Sequence, residues 1–301
     1  MSAVLDTIIS ILVMVLLGYF LKRIKLLEFS DVGKLNNLVI YVAMPAMIFM
    51  ALYTSNIGFL PKLAVMPLLG ITTGTITGIL AFTVLTIAKF SKIKKWSTVI
   101  TVTLGNTAFL GFPVIIGVLG QTGLIRAIFY DIASLLTFLS LSIILMINFG
   151  GELKEVIKKI IGFPTLWAVI LGISLNFFSI PIGAVLTNVL TYIGQATIPL
   201  VMITLGLSLD FKSLTENIKI ASFASFFKLV VSPIIGFFVA LAIGLSGLEY
   251  HVAIIEAAMS SGMLNLVLAI TYDLDVKLTS NCLFITILFS FITLPIILTI
   301  V

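Results

Sequence analysis

Charge is what this chain has least of. Asp, Glu, Lys and Arg make up 10% of its 301 residues and hydrophobic residues 60%, whereas a soluble domain carries roughly 25% charged and 45–50% apolar residues. A water-soluble fold could not bury that much apolar surface. Cysteine is almost absent too. The single Cys282 rules out a disulfide framework or a thiolate metal centre and reads as a small core hydrophobe. The lone His251 falls near a membrane surface and reads as interfacial rather than as a ligand. Gly105–Gly120 holds no Walker A lysine and Ser260–Ser261 no histidine at a suggestive spacing, which argues against ATP-driven pumping and intramembrane hydrolysis. Neither a metal nor an organic cofactor is expected, and the chain does not read as an enzyme.

What the chain does have is long uncharged stretches: Thr7–Leu21, Leu35–Pro61, Leu63–Ala88, Trp96–Ile125, Ile132–Gly151, Ile160–Leu209, Leu229–Leu248 and Leu278–Val301. A helix needs about 20 apolar residues to cross a bilayer. The 50-residue run Ile160–Leu209 is interrupted at Ser179–Ile180–Pro181 and divides into two spans. Ten spans are expected, beginning near Val4, Leu35, Leu63, Ser97, Ala127, Thr165, Ile182, Ile220, Glu249 and Leu278. Lys22, Arg23 and Lys25 follow the first span at once, so that span reads as retained rather than as a removable leader.

The net charge of +5 does not signal nucleic acid, because the basic residues alternate by loop. Loops one, three, five, seven and nine hold fourteen of the seventeen Lys and Arg, including Lys89–Lys95, Lys212 and Lys219, and the intervening loops hold Lys62 and Arg126. The positive-inside rule then sets both termini outside the cytoplasm of a multi-pass plasma-membrane protein, with the lysines as anchors for inner-leaflet lipids.

An offset of 154 residues lays Leu17–Gly18 on Leu171–Gly172 and Pro45 on Pro199, with Met44–Met47 on Ile198–Val201. The domain reading is a first five-helix repeat over 1–149, a cytoplasmic linker over 150–163 and a second repeat over 164–301. Five spans is an odd number, so the second repeat enters the membrane inverted, an arrangement that places a binding site near the midplane and suits alternating access.

Span four reads Gly105–Asn106–Thr107–Ala108–Phe109–Leu110–Gly111–Phe112–Pro113. Pro113 lacks an amide hydrogen, the glycines loosen the backbone, and Asn106 and Thr107 can bond freed backbone groups. A kinked packing helix with small contact residues is the plain alternative. The offset sets Asn106–Thr107 on Ser260–Ser261 and Gly111 on Asn265, in a span nine that continues Ser260–Ser261–Gly262–Met263–Leu264–Asn265. If both spans unwind there, two helix N-termini point at the centre and favour an anion. Gly105, Asn106, Thr107, Gly111, Pro113, Ser260, Ser261, Gly262 and Asn265 are therefore the candidate substrate site, with a carboxylate as the expected ligand and Pro45 and Pro199 on the facing side.

The span-four run resembles the signature of the auxin efflux carrier family, whose microbial members are regarded as permeases. Met44–Pro45, Ile198–Pro199 followed by Leu205–Gly206, and Glu256–Ala257–Ala258–Met259 extend the resemblance over nearly the whole chain. It implies an all-α membrane fold of ten helices in two inverted repeats, with spans four and nine broken and crossing. Spans one, two, six and seven would form a scaffold, and three to five with eight to ten a moving transport domain. Family members commonly carry a proline just after the Ala–Met of span nine, where this chain has Ser260–Ser261–Gly262; glycine and serine still permit unwinding.

Ionisable groups inside a membrane need a partner or a function. Glu256 in span nine and Lys228 in span eight read either as a structural ion pair or as coupling groups, and Asp131 either as an interfacial salt bridge to Arg126 or as a proton carrier. The sequence thus points to a secondary transporter of a small organic anion moving by an elevator-like mechanism, coupled to H+, to Na+ or to neither. A bile-acid-type sodium symporter and a non-transporting membrane sensor are the alternatives, and broad apolar faces permit a homodimer.

Overall fold

The computed structural model describes residues 2–209 and 217–301; Lys212, counted above in the seventh loop, lies outside them. The regular structure of the described residues is helical, without a strand, and its α-helices run in the order α1 (Ser2–Arg23), α2 (Val32–Leu38), α3 (Met44–Tyr53), α4 (Val65–Ile87), α5 (Lys92–Thr103), α6 (Phe112–Phe149), α7 (Leu153–Ile161), α8 (Pro164–Phe177), α9 (Ala184–Gln195), α10 (Thr197–Ser208), α11 (Ile218–Phe226), α12 (Ser232–Ile243), α13 (Gly247–Ala257), α14 (Leu264–Thr271) and α15 (Val276–Ile300).

Among these residues seven helical stretches are long and apolar enough to cross a bilayer, from Leu5–Arg23 with 19 residues to Thr107–Phe149 with 43, and Pro164–Phe177 is apolar but shorter. The expected spans four, six and nine are not separate members of the seven. Span six is the 14-residue α8. Span nine is the pair α13 and α14, and span four begins as the 12-residue α5 and resumes at Thr107. The Thr107–Phe149 stretch carries that resumption and span five together, bent where Gly120 takes φ +66°.

Three prolines shape the long helices in one way. Proline cannot donate to the helix ladder, and its ring presses on the carbonyl four residues back. Ahead of Pro45, Pro113 and Pro233 the helix widens into a π turn, over Val39–Ala43, Thr107–Gly111 and Phe227–Val231. The residue before each proline donates five residues back, Met44 to Val39, Phe112 to Thr107 and Ser232 to Phe227. Pro113 therefore does not unwind span four, as the sequence suggested. A wider turn absorbs the proline, and the helix is interrupted further back, at Leu104–Asn106.

α1 packs on α10, and α3 on α8 and α9. The first contact depends on small residues: a side chain on Gly18 would overlap the Ile203 main chain, and one on Gly206 the main chain of Val15 and Tyr19, the close approach common at membrane helix interfaces. α4, α5, α6, α12 and α13 form a second group, in which α4 touches the other four.

Candidate functional site

α5 and α13 run toward each other and stop. Beyond them the chain is extended, and Gly105 and Ser261 pair in an isolated antiparallel bridge. The Asn106 amide donates to the Ser260 carbonyl at 2.7 Å and the Gly262 amide to the Leu104 carbonyl at 3.0 Å. Side chains bind the same junction. The Ser261 hydroxyl donates to the Thr101 carbonyl at 2.6 Å, the Asn265 Nδ2 to the Leu104 carbonyl at 3.2 Å, and the Thr286 hydroxyl accepts from the Ser261 amide at 3.2 Å. Unwound backbone inside a membrane must find partners in protein or in a water-filled cavity, and here each interrupted segment supplies them to the other. The approach is close enough that a Cβ on Gly262 would overlap the Gly105 carbonyl.

A cavity of about 130 Å³ lies against this crossing. It is lined by Gly105, Asn106, Thr107, Asp131, Ser134 and Gly262, with Ile40, Met44, Phe109, Phe163, Met263 and Leu264 among the apolar walls. The space is about ten times what one water requires. The Thr107 hydroxyl donates to the Asp131 carboxylate and lies 3.0 Å from the Ser134 hydroxyl. The Asn106 Nδ2 is buried without an acceptor. Thr107, Ala108 and Phe109 open the resumed helix, so their amides have no acceptor within it and carry the positive end of its dipole.

The opposite side of the Gly105–Thr107 segment faces a much smaller cavity, about 20 Å³, shared by Thr73, Thr103, Tyr130, Ser134, Lys228, Ser232 and Glu256. Glu256 is 1% exposed, and neither carboxylate oxygen has a hydrogen-bond partner. A Cβ on Gly111 would overlap that carboxylate. Lys228 lies within the Phe227–Val231 π turn with Nζ against Gly105. One turn on, the Ser232 hydroxyl donates to the Ala257 carbonyl at 2.9 Å, at the C-terminal end of α13. α12 and the turn before it thus bring an ammonium and a hydroxyl to the carbonyl ends of both interrupted helices, where positive charge is favoured.

Two expected pairings are corrected. Arg126 does not pair with Asp131; its guanidinium meets Glu249 of α13, with Nη2 at 2.8 Å and Nε at 2.9 Å from Oε1. Glu249 presents its carboxylate from the first turn of the facing helix, whereas Asp131 accepts a hydrogen bond from Thr107. No ion pair joins Lys228 to Glu256 among the described residues, although both line the small cavity.

Of the candidate substrate residues, Gly105, Asn106, Thr107 and Gly262 reach the larger cavity. Ser260, Ser261 and Asn265 are fully buried at the crossing, Gly111 lies on Glu256, and Pro113 is buried at the start of α6. Pro45 follows the cavity residue Met44. Pro199 follows Ile198, which lines a separate cleft of about 660 Å³ with Met47, Thr54, Gln121 and Gln195. Ser134 was not anticipated. It lies three residues after Asp131 on the same helix face, a spacing that could have revealed it. Ile40, Phe163 and Met263 carried no signal beyond being apolar.

The membrane transport protein family model matches residues 3–155 and 151–298 of the chain. An uncharacterized transporter of Methanothermobacter thermautotrophicus is 38% identical over 290 residues, 96% of each chain. One of Methanocaldococcus jannaschii is 36% identical over 297 residues, again 96% of each. Auxin efflux carrier component 1 of Arabidopsis thaliana is 29% identical over 130 residues, 41% of this chain and 21% of the plant protein.

Proposed function

The chain belongs to the membrane transport protein family, that of the auxin efflux carriers, and from that premise we propose that this multi-pass membrane transporter is a secondary carrier of a small carboxylate-bearing organic anion. The observation that carries the reading is the cavity at the crossing, where the unpartnered side-chain Nδ2 of Asn106 and the backbone amides of Thr107–Phe109 that open the helix lie together. Carboxylates are favoured at such a helix end, and broken helices use it for anionic substrate groups in other carriers.

We read the chain as ten spans in two inverted halves, and the packing supports this. Gly18 abuts Ile203, and Gly172 abuts Phe49. The 154-residue offset converts the first contact into the second, as inverted halves related by a two-fold axis require. Spans one, two, six and seven are then the scaffold and the rest the moving domain, with elevator-like motion carrying the crossing past Met44 and Ile198. The lysine-rich loops face the cytoplasm of a plasma membrane and both termini the exterior. Glu256 is the coupling candidate, with Lys228 beside it.

A thermal-shift screen of small carboxylates on the purified protein, repeated with Asn106→Ala, tests the site. Stabilisation by a carboxylate that disappears in the variant is expected; stabilisation that survives unchanged removes Asn106 and its cavity from the reading.

A further inference from the structure

The larger cavity is lined by one carboxyl side chain, and among the described residues that line it there is no Lys or Arg. Asp131 lines it, with hydroxyls of Thr107 and Ser134 as neighbours. Arg126, one helical turn before Asp131, is turned to Glu249, and Lys228 lines the smaller cavity behind the crossing. A carboxylate inside a membrane protein calls for a countercharge, and among the described residues lining this cavity there is none. A substrate bearing only carboxylates would bring like charge beside Asp131, which is unfavourable.

We propose that the cavity selects a zwitterion, an α-amino acid with an apolar side chain, binding its carboxylate at Asn106 and the amides after it and its ammonium at Asp131. This rests on the carrier reading above, keeps its carboxylate and replaces the net anion with a zwitterion. Asp131 accepts from Thr107, the residue next to Asn106, so the cation-favouring carboxylate is hydrogen-bonded to the chain neighbour of the anion-favouring group. Substrate charges that meet both must be only a few bonds apart, as on an α-carbon, and not at opposite ends of a long chain. Apart from Thr165, the remaining walls are apolar, among them Ile40, Met44, Phe109, Phe163 and Leu264, and suit an apolar side chain. A site built around a charged group on its ligand strongly rejects the analogue lacking that group, because its own buried group is then left unpaired.

The test uses the full chain, purified, with melting temperature followed against concentration of L-leucine and L-phenylalanine. Their deaminated analogues, 4-methylpentanoate and 3-phenylpropanoate, and the amine 3-methylbutylamine are titrated in parallel, each in sodium and in choline buffer. The expected result is an apparent affinity for an amino acid at least roughly tenfold above that for its deaminated analogue and for the amine, independent of sodium. Asp131→Asn should erase or reverse that preference. Wild-type protein that binds the deaminated acid as tightly as the amino acid overturns the zwitterion while leaving a carboxylate carrier intact. Binding of the deaminated acid only in sodium also overturns it, by assigning Asp131 to a metal ion. If no compound in the panel binds, the amino-acid assignment fails, and the broader carboxylate screen decides the carrier reading separately. Wild-type measurements alone decide the first and last outcomes, so a variant that fails to fold leaves the inference open to refutation.

Discussion

Asn106 and Ser260 stand 154 residues apart and meet main chain to main chain, the amide of the first donating to the carbonyl of the second at 2.7 Å. Their separation equals the offset read between the two proposed halves of the sequence. Two interrupted helices that would each leave polar backbone unsatisfied in the membrane satisfy one another.

That closeness makes Gly262 intolerant of any side chain. Gly262→Ala forces a methyl into the Gly105 carbonyl, backbone that cannot swing aside. We expect a loss of about 1–3 kcal/mol, seen as a lowered melting temperature, together with weakened ligand stabilisation. An unchanged melting temperature would mean that the two segments are further apart than described.

The side-chain ties at the junction should cost less. Ser261→Ala removes the bond to Thr101 and Asn265→Ala the bond to Leu104, each worth about 0.5–1.5 kcal/mol. Thermal unfolding of the single and double variants should give nearly additive losses if each bond holds its carbonyl independently. A double variant no worse than either single would show that one bond cannot form without the other.

The sequence made much of this legible, and where it fell short the reasons are physical. Composition and uncharged runs identified a membrane protein, because apolar length is a nearly direct readout of a bilayer span. The polar run Gly105–Asn106–Thr107 and its counterpart Ser260–Ser261–Gly262 marked the interruptions. The exact position was harder. Pro113 looked like the breaking point, yet a π turn accommodates it, and the helix yields instead at Leu104–Asn106, where Ser260 and Gly262 offer partners. A tertiary contact made that choice, and local propensity does not encode it. The same limit misassigned Arg126. Its sequence neighbour Asp131 was the obvious partner, while Glu249 is brought near only by the packing of α6 on α13.

The Arg126–Glu249 pair is testable in itself. Both nitrogens approach one oxygen, and the side chains keep 14% and 25% exposure. Arg126→Ala should lower stability by about 1–2 kcal/mol, below the loss for a fully buried pair. Arg126→Lys should recover only part of it, since an ammonium cannot reproduce the two-nitrogen contact. Full recovery by lysine, measured by thermal unfolding in low salt, would reduce the pair to simple charge attraction.

Gly111 bears on coupling. A methyl there overlaps the Glu256 carboxylate, the mobile end of a side chain, so Gly111→Ala is expected to fold while displacing Glu256. If Glu256 carries the coupling ion, Gly111→Ala and Glu256→Gln should both keep ligand stabilisation but lose the response of uptake to an imposed proton or sodium gradient in vesicles. Retained gradient dependence in Glu256→Gln would remove that residue from coupling.

Because amides and carbonyls make the central bridge, its hydrogen bonds are written in no particular side chain. The junction can outlast drift at several of its own positions. Side chains beside the junction, such as the Asp131 proposed to read the cargo, can then change over evolutionary time without a new architecture having to be invented.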